Sequence, residues 1–147
     1  FVPVALRRPH IKGGYRACPL PLLACLRSAL WPHNELLNVW THAAGAAAFA
    51  ADAALGARWD GAPPRERAAA LYYAIAAATA MALSAAFHLF GAASLRWHGR
   101  LLRADVLGIV LLVHACYALG IEVGFGRRPA WRAAYQGIAG AAAAGIG

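Results

Sequence analysis

Long apolar segments restrict what this chain can fold into more than any other feature of its sequence. A helix rises 1.5 Å per residue, so about 20 apolar residues are needed to cross the hydrocarbon core of a bilayer. Four apolar segments occur, at about 38–57, 68–90, 101–125 and 130–147. We therefore predict an all-α fold, a polytopic transmembrane helical bundle, in which residues 38–147 are the transmembrane domain and the fourth span is incomplete.

The residue composition agrees with this prediction. Of the 147 residues, 61% are hydrophobic and 14% are charged. In a soluble domain about a quarter of the residues are charged and at most about half are apolar. The alternative is a soluble bundle with a buried first helix, because the first segment is rich in alanine and contains Asp52. Basic residues between four apolar segments argue against that alternative.

The distribution of charge predicts both the partner and the topology. The formal net charge is +8, yet the arginines lie in short groups between the apolar segments. Charges at membrane borders are arranged in this way, so we expect membrane lipids and not nucleic acid as the partner. Five Lys and Arg residues lie before the first span and three in the second connection, against three in each of the other connections. The positive-inside rule then places the N-terminus in the cytosol, with residues 1–37 as a juxtamembrane segment.

Two further features concern the N-terminal segment. Five prolines exclude a long helix there. Because the chain opens with Phe1 and not with Met, we expect the natural N-terminus to lie upstream.

Polar residues gather at three ends of the predicted spans. Three precede or open the first span, two close the second span and one opens the third: Glu35, Asn38, His42, Ser84, His88 and Asp105. These three ends fall on the same side of the membrane. The first three residues have the spacing i, i+3, i+7, and the next two the spacing i, i+4, so each set lies on one helix face. We expect all six to converge near the inner face.

Two interpretations of this polar cluster remain open from the residues alone. Ionisable residues are costly inside a membrane, so they usually pair or serve a functional site. Histidine and aspartate can bind zinc or orient a zinc-bound water, and a carboxylate beside that water can act as a base. The alternative is a structural hydrogen-bond network that joins the ends of three helices.

Three ordered motifs resemble those of the progestin and adipoQ receptor family, which includes the adiponectin receptors and haemolysin III-like proteins. Residues Glu35–His42, preceded by Gly14–Arg16 and Cys25–Ser28, resemble its first signature. Ser84–His88 resembles the second, and Asp105–Ile109 resembles the start of its third span. Some of the flanking residues resemble the fourth member of that family most. We expect this chain to be the front part of such a protein.

The resemblance implies a seven-helix fold, of which about the first three and a half spans are present. It also implies a zinc ion near the cytosolic face, held by one histidine of the second span and two of the seventh. By position, His88 is the implied metal ligand, while Asp105 and Ser84 are the implied catalytic residues. The residues implied to support this site from the first span are Glu35, Asn38 and His42.

The chain departs from the family pattern at three points. The two histidines of the seventh span are absent from it, so the zinc site needs donors beyond those present. Ala93 stands near the place where the second span is often followed by another histidine. Val106 stands where a tyrosine usually follows the aspartate of the third span.

The resemblance leaves the function open between three alternatives. The first is a receptor with a zinc site that hydrolyses a lipid amide such as ceramide, as the related alkaline ceramidases do. The second is a non-catalytic receptor or scaffold with a structural polar cluster. The third is a truncated product that is non-functional or regulates the full-length form. A lipid, a steroid or a protein hormone is the implied class of ligand. The implied location is the plasma membrane, the Golgi or the endoplasmic reticulum.

The remaining ionisable residues are expected to have ordinary roles. His98 is expected to be a solvated residue of the second connection, and His114 to form a hydrogen bond between packed helices. Asp52 and Glu122 are expected to be structural or to reach the membrane interface with their carboxylates.

Overall fold

The computed structural model describes residues 1–56 and 59–145. Within these two ranges the chain is helical, with five α-helices, one short 3-10 turn at Val4–Leu6 and no strands. The α-helices are α1 Leu22–Ser28, α2 Leu36–Leu55, α3 Pro64–Phe90, α4 Leu95–Gly124 and α5 Pro129–Ala144. The predicted all-helical fold is therefore confirmed.

Helix ends follow from local sequence. Pro64 and Pro129 are the first residues of α3 and α5, where the missing N–H group of proline costs nothing. Gly61 has φ +87° in the connection before α3, a conformation that other residues rarely adopt. The hydroxyl of Ser94 accepts a hydrogen bond from the backbone N–H of Trp97 at 3.1 Å, so it caps the start of α4.

Helices α2 to α5 overlap the four predicted spans, and α3 and α4 begin earlier in the sequence than predicted, at Pro64 and Leu95. Among the described residues, α3 and α4 are long and apolar enough to cross a membrane by length and composition. Helix α2 has 20 residues and does not reach the same apolarity, because it contains Asn38, His42 and Asp52. The predicted end of the first span at Ala57 and the last two residues of the fourth lie outside the described residues.

The helices pack into two compact units. The first unit comprises Phe1–Gly45 and Met81–Val106. Its buried residues come from the N-terminal segment, α1, α2, α3 and the connection after α3, and include Cys18, Cys25, Val39 and Phe87. Gly45 lies against Met81, since a Cβ atom built at Gly45 would be 3.3 Å from the Met81 sulfur. This close approach brings α2 and α3 together beside the predicted polar cluster.

The second unit comprises Ala46–Ala80 and the described part of Leu107–Gly147. Alanines dominate its buried surface, and small residues of this kind let helices approach closely in lipid. The Tyr72 hydroxyl and His114 Nδ1 are 2.8 Å apart, which confirms the predicted packing role of His114. Glu122 lies 3.7 Å from Arg132 and accepts a hydrogen bond from Gln136.

Candidate functional site

The candidate site is centred on a carboxylate–imidazole pair in the first unit. Glu35 immediately precedes α2, and His88 lies in the last turn of α3. Nδ1 of His88 is 2.8 Å from Oε2 of Glu35. The His88 and Glu35 side chains are 17% and 24% exposed, respectively, so the pair is largely shielded from solvent. The pair joins the start of α2 to the end of α3.

Neighbouring amides hold the Glu35 carboxylate in place. Asn38 Nδ2 donates to Oε2 at 2.9 Å, and Asn34 Nδ2 donates to Oε1 at 2.8 Å. The hydrogen bond from His88 lowers the pKa of Glu35 to about 2, burial opposes this change, and the Asn38 amide lowers the pKa further. Hydrogen bonds to the charged form favour ionisation. Glu35 is therefore a carboxylate at neutral pH.

A second histidine lies against the first. The His42 and His88 rings are stacked, with centroids 5.2 Å apart and planes 25° apart. Nδ1 of His42 is 2.7 Å from the backbone oxygen of Asn38. Since a carbonyl oxygen only accepts, Nδ1 of His42 must donate, and the same argument applies to His88 against the Glu35 carboxylate. In the neutral form of each ring, Nε2 then carries the lone pair that can bind a metal or a proton.

The structure brings four of the six predicted site residues together through direct contacts, and these are Glu35, Asn38, His42 and His88. Ser84 lies one turn before His88 on α3 and is buried, at 8% exposure. Asp105 is half-buried on α4. Neither the Ser84 hydroxyl nor the Asp105 carboxylate has a hydrogen bond or ion pair within residues 1–56 and 59–145.

Sequence reasoning missed several residues around this pair. A small cavity of about 50 Å³ beside Glu35 and His88 is also lined by the N-terminal segment, including Arg16, and by His98. That volume is sufficient for ordered water. His98 was expected in a solvated connection, but it lies in α4, half-buried, with its ring centroid 5.0 Å from that of Phe87. Helix α4 begins at Leu95, earlier than the apolar pattern indicates, which explains the error.

The arrangement of His88 is suited to one ligand of a zinc site. A zinc-binding histidine usually donates its other N–H group to a carboxylate or carbonyl, and this contact fixes the tautomer and the ring direction. Glu35 is placed to do this for His88. In the part of the chain that the structure describes, no three His, Cys, Asp or Glu side chains lie close enough together to hold a metal ion. His88 is therefore one oriented donor, and the other ligands of such a site would have to be added to it.

The family model and the curated proteins that match this chain point to the same protein family. The family model described as haemolysin-III related matches residues 30–147. The membrane progestin receptor alpha of Homo sapiens is 29% identical over 144 residues, which cover 93% of this chain and 39% of the relative. The corresponding receptor of Sus scrofa is 30% identical with the same coverage. The chain thus spans about two fifths of the length of the curated relatives it matches.

Proposed function

The chain belongs to the haemolysin-III-related family, which includes the progestin and adipoQ receptors, and on this premise we propose a function for it. We propose a multi-pass membrane receptor with a zinc site near the cytosolic face, at which a lipid amide such as ceramide is hydrolysed. The observation that supports this proposal is the 2.8 Å contact between His88 Nδ1 and Glu35 Oε2. It presents an oriented imidazole at the end of one apolar helix.

The proposed chemistry divides between the residues of the cluster. His88 would hold the ion through Nε2, while Glu35 keeps the Nδ1 proton in place and strengthens the ligand. A bound zinc ion supplies polarisation of a carbonyl group and a lower pKa for bound water. Asp105 would be the general base that takes a proton from the attacking water and passes it to the amine as the amide bond breaks, and Ser84 would donate a hydrogen bond at the same site. His42 would keep the plane of the His88 ring by stacking.

The ligand class is proposed from the relatives. The similar human and pig proteins are named as progestin receptors, so a steroid is the first ligand to test, followed by other lipids and a protein hormone. We propose that the N-terminus is cytosolic and that the protein resides in the plasma membrane, the Golgi or the endoplasmic reticulum. Two apolar helices of sufficient length support an integral membrane location.

A second candidate is a non-catalytic receptor or scaffold in which the cluster is structural. The observation in its favour is that the polar groups largely satisfy one another. The Glu35 carboxylate accepts hydrogen bonds from Asn34, Asn38 and His88. A network of this kind joins helix ends without any metal.

The test is zinc content and hydrolysis in the purified full-length protein, reconstituted in lipid nanodiscs. We expect about one zinc per chain in the wild type and loss of both zinc and ceramide hydrolysis in His88→Ala. Asp105→Asn should keep zinc and lose about 10²–10⁴-fold in hydrolysis, as expected when a general base is removed. The exposed His10→Ala is the matched control.

The outcomes separate the two candidates. If His88→Ala retains its zinc, the assignment of the ligand is wrong. If zinc is present but no lipid amide is hydrolysed, while steroid binding is retained, the protein is a receptor with a structural metal. If neither zinc nor hydrolysis is found in the wild type, the scaffold remains.

A further inference from the structure

One stretch of the N-terminal segment contacts both sides of the Glu35–His88 pair. The backbone oxygen of Gly14 accepts a hydrogen bond from Asn34 N at 2.8 Å, immediately before Glu35. Six residues later, Leu20 N donates to the backbone oxygen of Ala92 at 3.0 Å, just beyond the end of α3. Residues 14–20 therefore connect the start of α2 with the end of α3 by backbone hydrogen bonds.

Arg16 lies between these two attachments and makes the most specific contacts of the segment. One guanidinium nitrogen, Nη1, donates to the backbone oxygen of Leu89 at 2.6 Å and to Ser28 Oγ at 2.9 Å. The other, Nη2, donates to the backbone oxygen of His88 itself at 2.5 Å. The Ser28 hydroxyl in turn donates to the Cys25 oxygen at 2.6 Å, which ties Arg16 to α1.

These contacts have a direct effect on the backbone that carries His88. The last four carbonyl groups of a helix have no partner within it, so its final turn frays unless other groups donate to them. A cation at a helix C-terminus is also favoured by the helix dipole. The planar guanidinium can reach two adjacent carbonyl groups and a hydroxyl together, which a lysine ammonium cannot do with the same geometry. Arg16 thus holds the turn from which the His88 side chain extends.

The other half of the pair is held by the same segment. Asn34, whose backbone N–H is bonded to Gly14, also donates through its side chain to Glu35 Oε1 at 2.8 Å. Gly14 has φ +78°, where a side chain would be strained. The spacing between the carboxylate and the imidazole is therefore set through contacts on both sides.

We propose that Arg16 is a positioning residue for the His88 site, and that it acts by fixing the last turn of α3 so that His88 Nδ1 remains on the Glu35 carboxylate. The effect on the pair is independent of any metal. The effect on zinc rests on the proposed function.

The first readout is the tautomer of His88 in the metal-free full-length protein. Selective ¹⁵N-histidine labelling reports which ring nitrogen carries the proton, and the His88→Gln spectrum assigns the signal. At fixed neutral pH we expect the Nδ1–H form in the wild type. Arg16→Ala should shift it towards the mixture of tautomers of an unconstrained imidazole. Arg27→Ala, which removes an exposed arginine from α1, should leave the signal unchanged.

The second readout is the zinc dissociation constant of the same proteins. We expect Arg16→Ala to weaken zinc binding about 10-fold, at the lower end of the effect of removing groups that orient ligands. If the wild type binds no zinc but Arg16→Ala still changes the His88 signal, the positioning role stands and the zinc proposal fails. If zinc binds normally and neither readout changes in Arg16→Ala, the positioning role is overturned.

A variant that retains the charge covers the case in which Arg16→Ala does not fold. Arg16→Lys keeps a cation at the end of α3 but cannot reproduce the contacts with His88, Leu89 and Ser28 together. We expect an intermediate shift of the His88 signal and zinc binding about 3-fold weaker. Added millimolar methylguanidinium should restore part of the signal in Arg16→Ala where it folds. Wild-type values for Arg16→Lys in both readouts would refute the proposal.

Discussion

Nδ1 of His88 lies 2.8 Å from Oε2 of Glu35, although the two residues are 53 positions apart in the chain. This contact joins the last turn of α3 to the residue that precedes α2. It lowers the pKa of Glu35 to about 2, which keeps the side chain ionised, and it leaves Nε2 of His88 as the nitrogen with a lone pair.

Replacement of the Glu35 carboxylate by an amide should weaken the hydrogen bond to His88 while preserving the shape of the side chain. In Glu35→Gln, the charge-assisted hydrogen bond to His88 becomes a neutral one, and the new amide group faces the side-chain amide nitrogen of Asn34, which bonds Oε1 in the wild type. We expect the free energy of unfolding to fall by about 1.5–3 kcal/mol and zinc affinity to fall by about 10–100-fold. Thermal melts and zinc titrations in nanodiscs measure both. Asp60→Asn, at an exposed position, is the control, and equal losses in the two variants would contradict the prediction.

The pH dependence of stability should reflect the same pair. Because the folded-state pKa of Glu35 is depressed from 4.5 to about 2, its contribution is fully present above pH 4.5. It is lost progressively as the pH falls from about 4.5 to about 2. The stability difference between wild type and Glu35→Gln should therefore shrink by on the order of 2 kcal/mol over that window. Melting curves recorded from pH 6 to pH 2 test this, and a constant difference would show that Glu35 titrates normally.

Stacking of His42 on His88 predicts that ring shape matters more than polarity at position 42. His42→Ala removes the stacked ring and the hydrogen bond to the Asn38 carbonyl, whereas His42→Phe retains a ring. We expect His42→Ala to lose about 2 kcal/mol more stability than His42→Phe, from the lost ring contact and buried area. Thermal melts distinguish them. Equal stability of the two variants would mean that the stacking contributes little.

Packing between α2 and α3 should be sensitive to size at Gly45. A Cβ atom there would lie 3.3 Å from the Met81 sulfur and 3.4 Å from Met81 Cγ, so a larger side chain must displace Met81. We expect Gly45→Leu to destabilise the protein by about 1–3 kcal/mol and Met81→Ala to restore part of this loss in the double variant. Gly99→Leu is the control, since nothing lies within 4 Å of that position. Additive losses in the double variant would contradict direct contact.

A substitution in the second unit should lower stability and leave the Glu35–His88 site unaffected. Tyr72→Phe removes the hydroxyl that bonds His114 Nδ1 at 2.8 Å and keeps the edge-to-face ring contact. We expect a loss of about 0.5–1.5 kcal/mol in stability and no change in zinc affinity. A thermal melt and a zinc titration on the same sample suffice. A change in zinc affinity would show that His114 is coupled to the proposed zinc site.

The helices could be predicted from the sequence because their cause is local. Backbone N–H and C=O groups in lipid must be bonded within the same segment, so long apolar runs become helices wherever prolines and glycines do not interrupt them. The polar residues at the span ends could likewise be predicted to share one membrane side from the order of the spans, and to share a helix face from helix periodicity. Glu35, Asn38, His42 and His88 were predicted to converge in this way, and direct contacts join these four residues in the structure.

The tertiary structure decided which atoms meet. Periodicity fixes the face on which a side chain lies, but not the rotation of one helix against its neighbour or the rotamer chosen in packing. For that reason the sequence did not distinguish Ser84 and Asp105, which make no polar contact in the described residues, from the four that do. Nor did it assign a role to Arg16, because two of its partners are backbone carbonyls more than 70 positions away, at the end of α3. Only the folded chain brings these carbonyls within reach of Arg16.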